Sequence, residues 1–310
     1  MTIIDGMRGD ARRGITMTTT AVKNKNILEI RGPGSNHWVG DGFPVRNLFP
    51  SNGIDAEVNP FLMLDYAGPS YFAPTKKRQG VGEHPHRGFE TVTIAYQGAV
   101  DHRDSAGNSG TIFPGDVQWM TAASGVVHEE KHERAFAERG GTFEMVQLWV
   151  NLPAAVKMSA PRYQGIAKED IPSVPLGAGS YARVIAGELN GVRGPAKTFT
   201  PVNLFDVRAK AGERFAIALP AGQNSAVVLL KGKVTLNGTA KLEGEAQIAV
   251  LSPDGDGVSI DAADDSTLLV LSGEPINEPV ANYGPFVMNT HEELTQAVKD
   301  YRDGKMGHLG

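Results

Sequence analysis

The sequence predicts an all-β protein made of two β-rich halves. Short runs of β-branched and aromatic residues recur along the 310-residue chain, and turn formers separate them, with 37 Gly and 19 Pro in all. Helical periodicity is sparse. That rhythm fits barrels or sandwiches rather than a parallel sheet alternating with helices. The clearest strand candidates, in chain order, are 90–96, 143–152, 226–230 and 267–271. One helix stands out, in the tail: Thr290 precedes Glu292 and Glu293, and apolar residues follow at Leu294, Val298 and Tyr301.

The halves share a faint layout. The first carries Gly98, a turn at 104–110 and Pro114-Gly115-Asp116; the second carries Gly232, Asn237-Gly238 and Pro253-Asp254-Gly255. A duplicated fold accounts for this, and so does the general likeness of glycine-punctuated β-proteins. The organisation expected is a flexible leader over 1–26, a first domain over 27–153 and a connection over 154–194. A second domain over 195–284 and a helical tail over 285–310 follow. Met17 is an alternative candidate start.

Composition narrows the function classes. With 41% hydrophobic and 21% charged residues, the chain reads as a soluble globular protein. Its formal charge is −5 and it has no basic tract, so nucleic-acid binding has no electrostatic support. The absence of Cys excludes disulfides, thiolate metal sites and cysteine nucleophiles, and agrees with a cytoplasmic location. No apolar run approaches the roughly 18 residues of a spanning helix. Arg8, Arg12 and Arg13 are not followed by the apolar core of a secretory signal. Glycine-rich nucleotide fingerprints are missing as well.

The chemistry concentrates between residues 84 and 130. His84-Pro85-His86 and His128-Glu129-Glu130 are two pairs of potential ligands. Side chains two apart on a strand point to one side, so each pair can present two donors to one point. Three imidazoles and a carboxylate suit Fe(II), Mn(II), Ni(II), Cu(II) or Zn(II) rather than a calcium cage. The segment from His128 to His132 also spells the H-E-x-x-H pattern of zinc proteases, which needs both histidines on one helical face. Gly125 leaves little room for a helix before it, and that reading leaves His84 and His86 unused. His132 is instead expected at a loop or rim. Glu90, Asp101 and Asp104 are candidate acceptors for the ligands' second ring nitrogens. Trp119, Met120, Phe89 and Phe113 are expected in the core, with one or two of them beside a planar substrate. His102 and Arg87 are expected to make fold-stabilising hydrogen bonds first and substrate contacts second.

The motifs around these residues resemble the pirin family of bicupins. They run His84-Pro-His-Arg-Gly-Phe-Glu-Thr-Val-Thr, His102-Arg-Asp-Ser-Ala-Gly-Asn, Gly115-Asp-Val-Gln-Trp-Met and Gly125-Val-Val-His-Glu-Glu. Ser35-Asn-His-Trp near the start and Gly284-Pro-Phe-Val-Met-Asn-Thr near the end fit too. The resemblance implies two antiparallel cupin β-barrels with one divalent metal, Fe(II) first, in the N-terminal barrel. Its ligands are then His84, His86, His128 and Glu130, with Glu90 a minor candidate, and the C-terminal barrel is metal-free. It further implies a dioxygenase that opens the heterocyclic ring of quercetin-like flavonols with O2 and releases carbon monoxide. Glu130 is its candidate catalytic base. The alternative is a non-enzymatic, iron-dependent redox-sensing or transcription-cofactor-like protein. The expected partners are a planar flavonol-like molecule and O2, with no membrane and a monomeric state.

Overall fold

The computed structural model describes residues 22–50 and 56–310. The first barrel joins two antiparallel sheets. One has seven strands, in the order Arg162–Ile166, Val117–Thr121, Phe89–Gln97, Gly141–Asn151, Phe61–Phe72, Phe43–Phe49 and Asn36–Val39. The other has four: Gly80–His86, Val126–His132, Val100–Asp104 and Ser109–Ile112. The second barrel is one nine-stranded sheet, whose central strands are Asn224–Leu236, Ser266–Gly273 and Val202–Ala209. The chain is thus a mostly-β bicupin with few helices, and its tail helix runs His291–Arg302.

Alternation explains how the barrels meet. In Phe89–Gln97, Val92 and Ile94 point one way, while Thr91, Thr93 and Ala95 point the other. The first set does not reach water. Together with Leu64, Leu148 and Trp119, it packs on Leu204, Val228, Ile248 and Leu269 of the second barrel. The central strands of the seven-stranded sheet are therefore largely buried on both faces. The second barrel's interior is closed by Phe205, Val207, Val227, Leu229, Leu268 and Val270. Among the described residues, both groups of His and Glu able to hold a metal lie in the first barrel.

The boundaries differ from those read in the sequence at three places. Ile27–Arg31 pairs with Ala240–Leu251 of the second barrel, although 27 was expected to open the first domain. Lys25, in the expected leader, is buried there, and its Nζ donates to the carbonyls of Gln223 (3.1 Å) and Pro253 (2.9 Å). The expected connection supplies strands to both large sheets, Arg162–Ile166 to one and Tyr181–Ala186 to the other. Each of these pairings joins segments far apart in sequence or switches partner sheet, so no local periodicity announces it.

The tail returns to the first barrel. Phe286, Met288, Leu294 and Met306 pack around Val127. Thr290 caps the helix in a reciprocal box with Glu293, satisfying two backbone N–H groups. Arg87, the residue directly after the His-x-His pair, donates to Asp300 Oδ2 at 2.9 Å and to the Ser124 carbonyl at 2.7 Å. The Lys305 ammonium, then the Arg87 guanidinium, hold the Asp300 carboxyl well below the usual range.

Lys157 makes the same junction from the other side. Its buried Nζ donates to Gly88 O (2.6 Å), Asn151 Oδ1 (2.6 Å) and Val287 O (3.0 Å). Burial pushes its ammonium down to about 7. An unfolded lysine keeps its proton to roughly pH 10.4. The unfolded chain therefore binds the extra proton between these values, and stability rises with pH there. Lys157→Met leaves three buried acceptors without a donor, at a cost of at least about 3 kcal/mol near neutral pH. Urea unfolding should show this as a lower midpoint at unchanged slope, and the rise in stability from pH 7 toward pH 10 should shrink.

Candidate metal centre

Strand pairing assembles the site. Gly80–His86 and Val126–His132 run antiparallel, with His84 opposite His128 and His86 opposite Val126. A bulge between His128 and Glu130 shifts the register, and on its other side Val126–His132 pairs with Val100–Asp104, placing Glu130 opposite His102. The ring centroids of His84 and His128 are 4.2 Å apart, those of His86 and His128 4.9 Å, and those of His84 and His86 4.8 Å. One donor atom from each of these three rings lies within 4.8 Å of the others. Glu130 joins His128 and His102 in a second such group and reaches the triad through His128.

Hydrogen bonds settle which nitrogen each ring offers. His84 Nδ1 donates to Gly82 O at 2.8 Å, and His86 Nδ1 to Pro285 O at 3.4 Å, so both rings leave Nε2 as a lone pair. Asp104 Oδ2 accepts from His102 Nε2 at 3.2 Å, which makes His102 Nδ1 an acceptor. That nitrogen lies 3.3 Å from His128 Nδ1, which therefore donates and leaves His128 Nε2 bare. The bare atom is buried without a partner among the described residues. An orphaned imidazole nitrogen beside two others is costly unless a cation takes it, so the donor set fits a divalent transition metal. Burial first, then the neighbouring histidines, push His86 and His128 well below the ordinary histidine range. Both are thus neutral, as ligands must be. His102 has both nitrogens engaged, which makes it the holder of His128.

Glu130 is fastened by three side chains. Its Oε1 accepts from Thr93 Oγ1 (3.2 Å) and Gln118 Nε2 (3.3 Å), and its Oε2 from Gln147 Nε2 (3.0 Å). Tyr163 stacks on His102 with centroids 5.0 Å apart, and its hydroxyl donates to Gln118 Oε1 at 3.4 Å. Burial pushes that phenol up to about 12, so it stays a donor. Before the triad opens a cavity of about 490 Å³, lined by Phe43, Met63, Met145 and Trp149 as well as His84, His86 and Glu130.

Several expectations change here. His132 is not at a rim: it is buried among Phe72, Phe136 and Phe143, and its Nε2 donates to Gly42 O at 3.0 Å. It shares a strand with His128, so the helical geometry of the protease pattern is absent. Glu90 stands outside both groups; it accepts from Thr121 Oγ1 at 2.6 Å and faces Arg162 at 3.6 Å. Phe113 is exposed, while Trp119, Met120 and Phe89 are core. Phe43 and Trp149 are the aromatic residues at the cavity, the Trp149 ring 5.4 Å from that of His86. Sequence reading missed Thr93, Gln118, Gln147 and Tyr163. Polar residues alternating with Val92, Ile94, Val117 and Trp119 were the available signal.

Replacing His84, His86 or His128 by Ala should abolish most metal uptake in elemental analysis of purified protein. His132→Ala should retain it, yet lose about 2–4 kcal/mol of stability through the cavity left in its aromatic cage. His102→Phe keeps a ring on Tyr163 but removes the acceptor that orients His128. Metal affinity, measured by competition with a chromogenic chelator, should fall about 10–100-fold.

Comparison with known proteins agrees with this architecture. The Pirin family profile matches residues 42–150, and that of the Pirin C-terminal cupin domain matches residues 204–307. The chain is 53% identical over 283 residues to a Pseudomonas aeruginosa protein named "Putative quercetin 2,3-dioxygenase", covering 91% of this chain and 98% of that one. It is 36% identical to mouse Pirin over 258 residues, covering 82% and 84%. The crystal structure of a quercetin 2,3-dioxygenase from Acinetobacter baumannii superposes with a TM-score of 0.90 at 51% identity, covering 93% of this chain and all of that one. No helix among the described residues is long and apolar enough to cross a membrane. Matched over both barrels, the chain belongs to the pirin family.

Proposed function

We propose that the protein is a metal-dependent dioxygenase acting on quercetin-like flavonols, with His84, His86, His128 and Glu130 as the metal ligands. The observation that carries this reading is the buried, unpartnered His128 Nε2 beside His84 and His86, two histidines that line a largely apolar cavity of about 490 Å³. A cavity of that size and lining suits one planar aromatic molecule. The names of the Pseudomonas and Acinetobacter relatives support the same substrate class. Fe(II) is the first candidate, and Mn(II), Ni(II), Cu(II) and Zn(II) also match the donor set. When bound, the metal supplies Lewis acidity toward a hydroxyl–carbonyl pair and a path for electrons to dioxygen.

The chain's own part is binding, orientation and proton handling. Phe43, Met63, Met145 and Trp149 grip the flat faces of the ligand and exclude water from the reacting edge. Glu130 is placed to take the flavonol 3-hydroxyl proton on a carboxylate oxygen, while Gln118, Thr93 and Gln147 keep that group in position. His102 and Asp104 fix His128 by its Nδ1, leaving its Nε2 free beside His84 and His86. The overall reaction converts one flavonol and one O2 into one depside and one carbon monoxide.

Protein reconstituted separately with each of the five metals should consume O2 and quercetin in equal amounts with at least one redox-capable ion. Glu130→Gln keeps the shape and loses the base, so turnover per bound metal should drop about 100-fold or more. Metal content is measured on the same sample. Oxygen uptake no faster than the free-metal control, for every ion, would sink the enzyme assignment.

A further inference from the structure

The cavity has a second polar end that the metal centre does not use. Five residues stand directly opposite one another across five strands of the seven-stranded sheet: Gln118, Thr93, Gln147, Asp65 and Asn47. Cross-strand partners in register share a face, so this row forms a polar stripe along the barrel floor. The first three hold Glu130. Asp65 and Asn47 continue the stripe away from it, at about one and two strand spacings, ~4.8 Å and ~10 Å, beyond Gln147. Both line the same cavity as His84 and Glu130.

A structural role accounts for Asn47 better than for Asp65. Asn47 Nδ2 donates to Phe49 O at 3.0 Å and to Asp65 Oδ1 at 2.8 Å. Asp65 takes that one hydrogen bond among the described residues and pairs there with no Lys or Arg. It is 8% exposed, in a cavity whose lining includes Val45, Met63, Met145 and Trp149 beside the polar His37, Asn47 and Gln147. A carboxylate so placed is costly to bury unless another donor reaches it. Burial raises its carboxyl above the ordinary range, against the opposing pull of Asn47 and His37.

We propose that Asp65 is a specificity-determining residue: its carboxylate accepts a hydrogen bond from a ring hydroxyl of the ligand, at the far end from the chelated hydroxyl–carbonyl pair. This rests on the flavonol reading above and narrows it to polyhydroxylated members. The metal end recognises what all flavonols share, and the Asp65 end ranks them by their outer hydroxyls. A site built around such an acceptor penalises a ligand lacking the donor, because the buried group is then left unpaired.

The test uses the full chain loaded with Zn(II), which holds the ligand without turnover, and two probes: quercetin and 3-hydroxyflavone. Both carry the chelating pair, and only quercetin has further hydroxyls. Fluorescence titration of the wild type should give quercetin an affinity at least about tenfold tighter. Asp65→Leu should remove that advantage and leave 3-hydroxyflavone within about twofold. Asp65→Asn, which keeps the shape, should reduce the advantage in the same direction and guards against a folding defect in the first variant. Equal affinities in the wild type, or parallel losses for both probes, overturn the role of Asp65 and leave the chelation reading standing. No binding of either probe by the zinc-loaded wild type overturns both.

Discussion

The pairing of Gly80–His86 with Val126–His132 is the constraint on which the site depends. It sets His84 opposite His128 and, across the bulge, swings Glu130 toward His102. Side chains on a strand alternate, so a slip of one residue would send His128 and Glu130 to the outside of the barrel and bring Glu129 and Lys131 inside. Much of the surrounding architecture guards against such a slip. The aromatic cage of His132 lies on the same face as His128 and Glu130, and anchors the far end of the strand. At the near end, Met306 and Phe286 of the tail pack around Val127.

The site is expensive before any metal arrives. Two deeply buried imidazoles resist protonation, one nitrogen has no partner, and a carboxylate is gripped by three neutral donors. The cost is offset by the scaffold behind it. The central strands of the large sheet are sealed on their outer face by the second barrel, whose interior is built mainly from apolar side chains. The second barrel therefore serves the chemistry as a rigid back wall. In return it receives the apolar surface that closes its own outer side.

The sequence made the all-β class and the ligand pairs legible because both depend on local patterns. Period-2 placement of His84/His86 and His128/Glu130 is visible within three residues, and the capping box at Thr290 within four. What stayed hidden depends on register between distant strands. Thr93 and Gln118 lie inside the quoted motifs and Gln147 outside them, but none forms a ligand pair; strand pairing lines the three up in one row, where they reach Glu130. His132 looked peripheral because its neighbours in sequence are charged. Its neighbours in space, Phe72 and Phe143, come from other strands. Tyr163 fell in a stretch whose turn residues suggested a mere connection, and it became the stacking partner of the histidine behind the site.

The crossed segments have a consequence for how the molecule is made. Residues 27–31 belong to the second barrel and residues 285–306 to the first. A chain emerging from the ribosome therefore cannot finish the first barrel before the second has been synthesised. Until then Val127 and the Arg87 guanidinium wait uncovered, and Ile27–Arg31 has no strand to join. The two barrels mature together, each latched by a piece supplied from the other's end of the chain. A cut near residue 153 would divide neither the cores nor the latches cleanly. The protein is two folds in architecture and one unit in assembly.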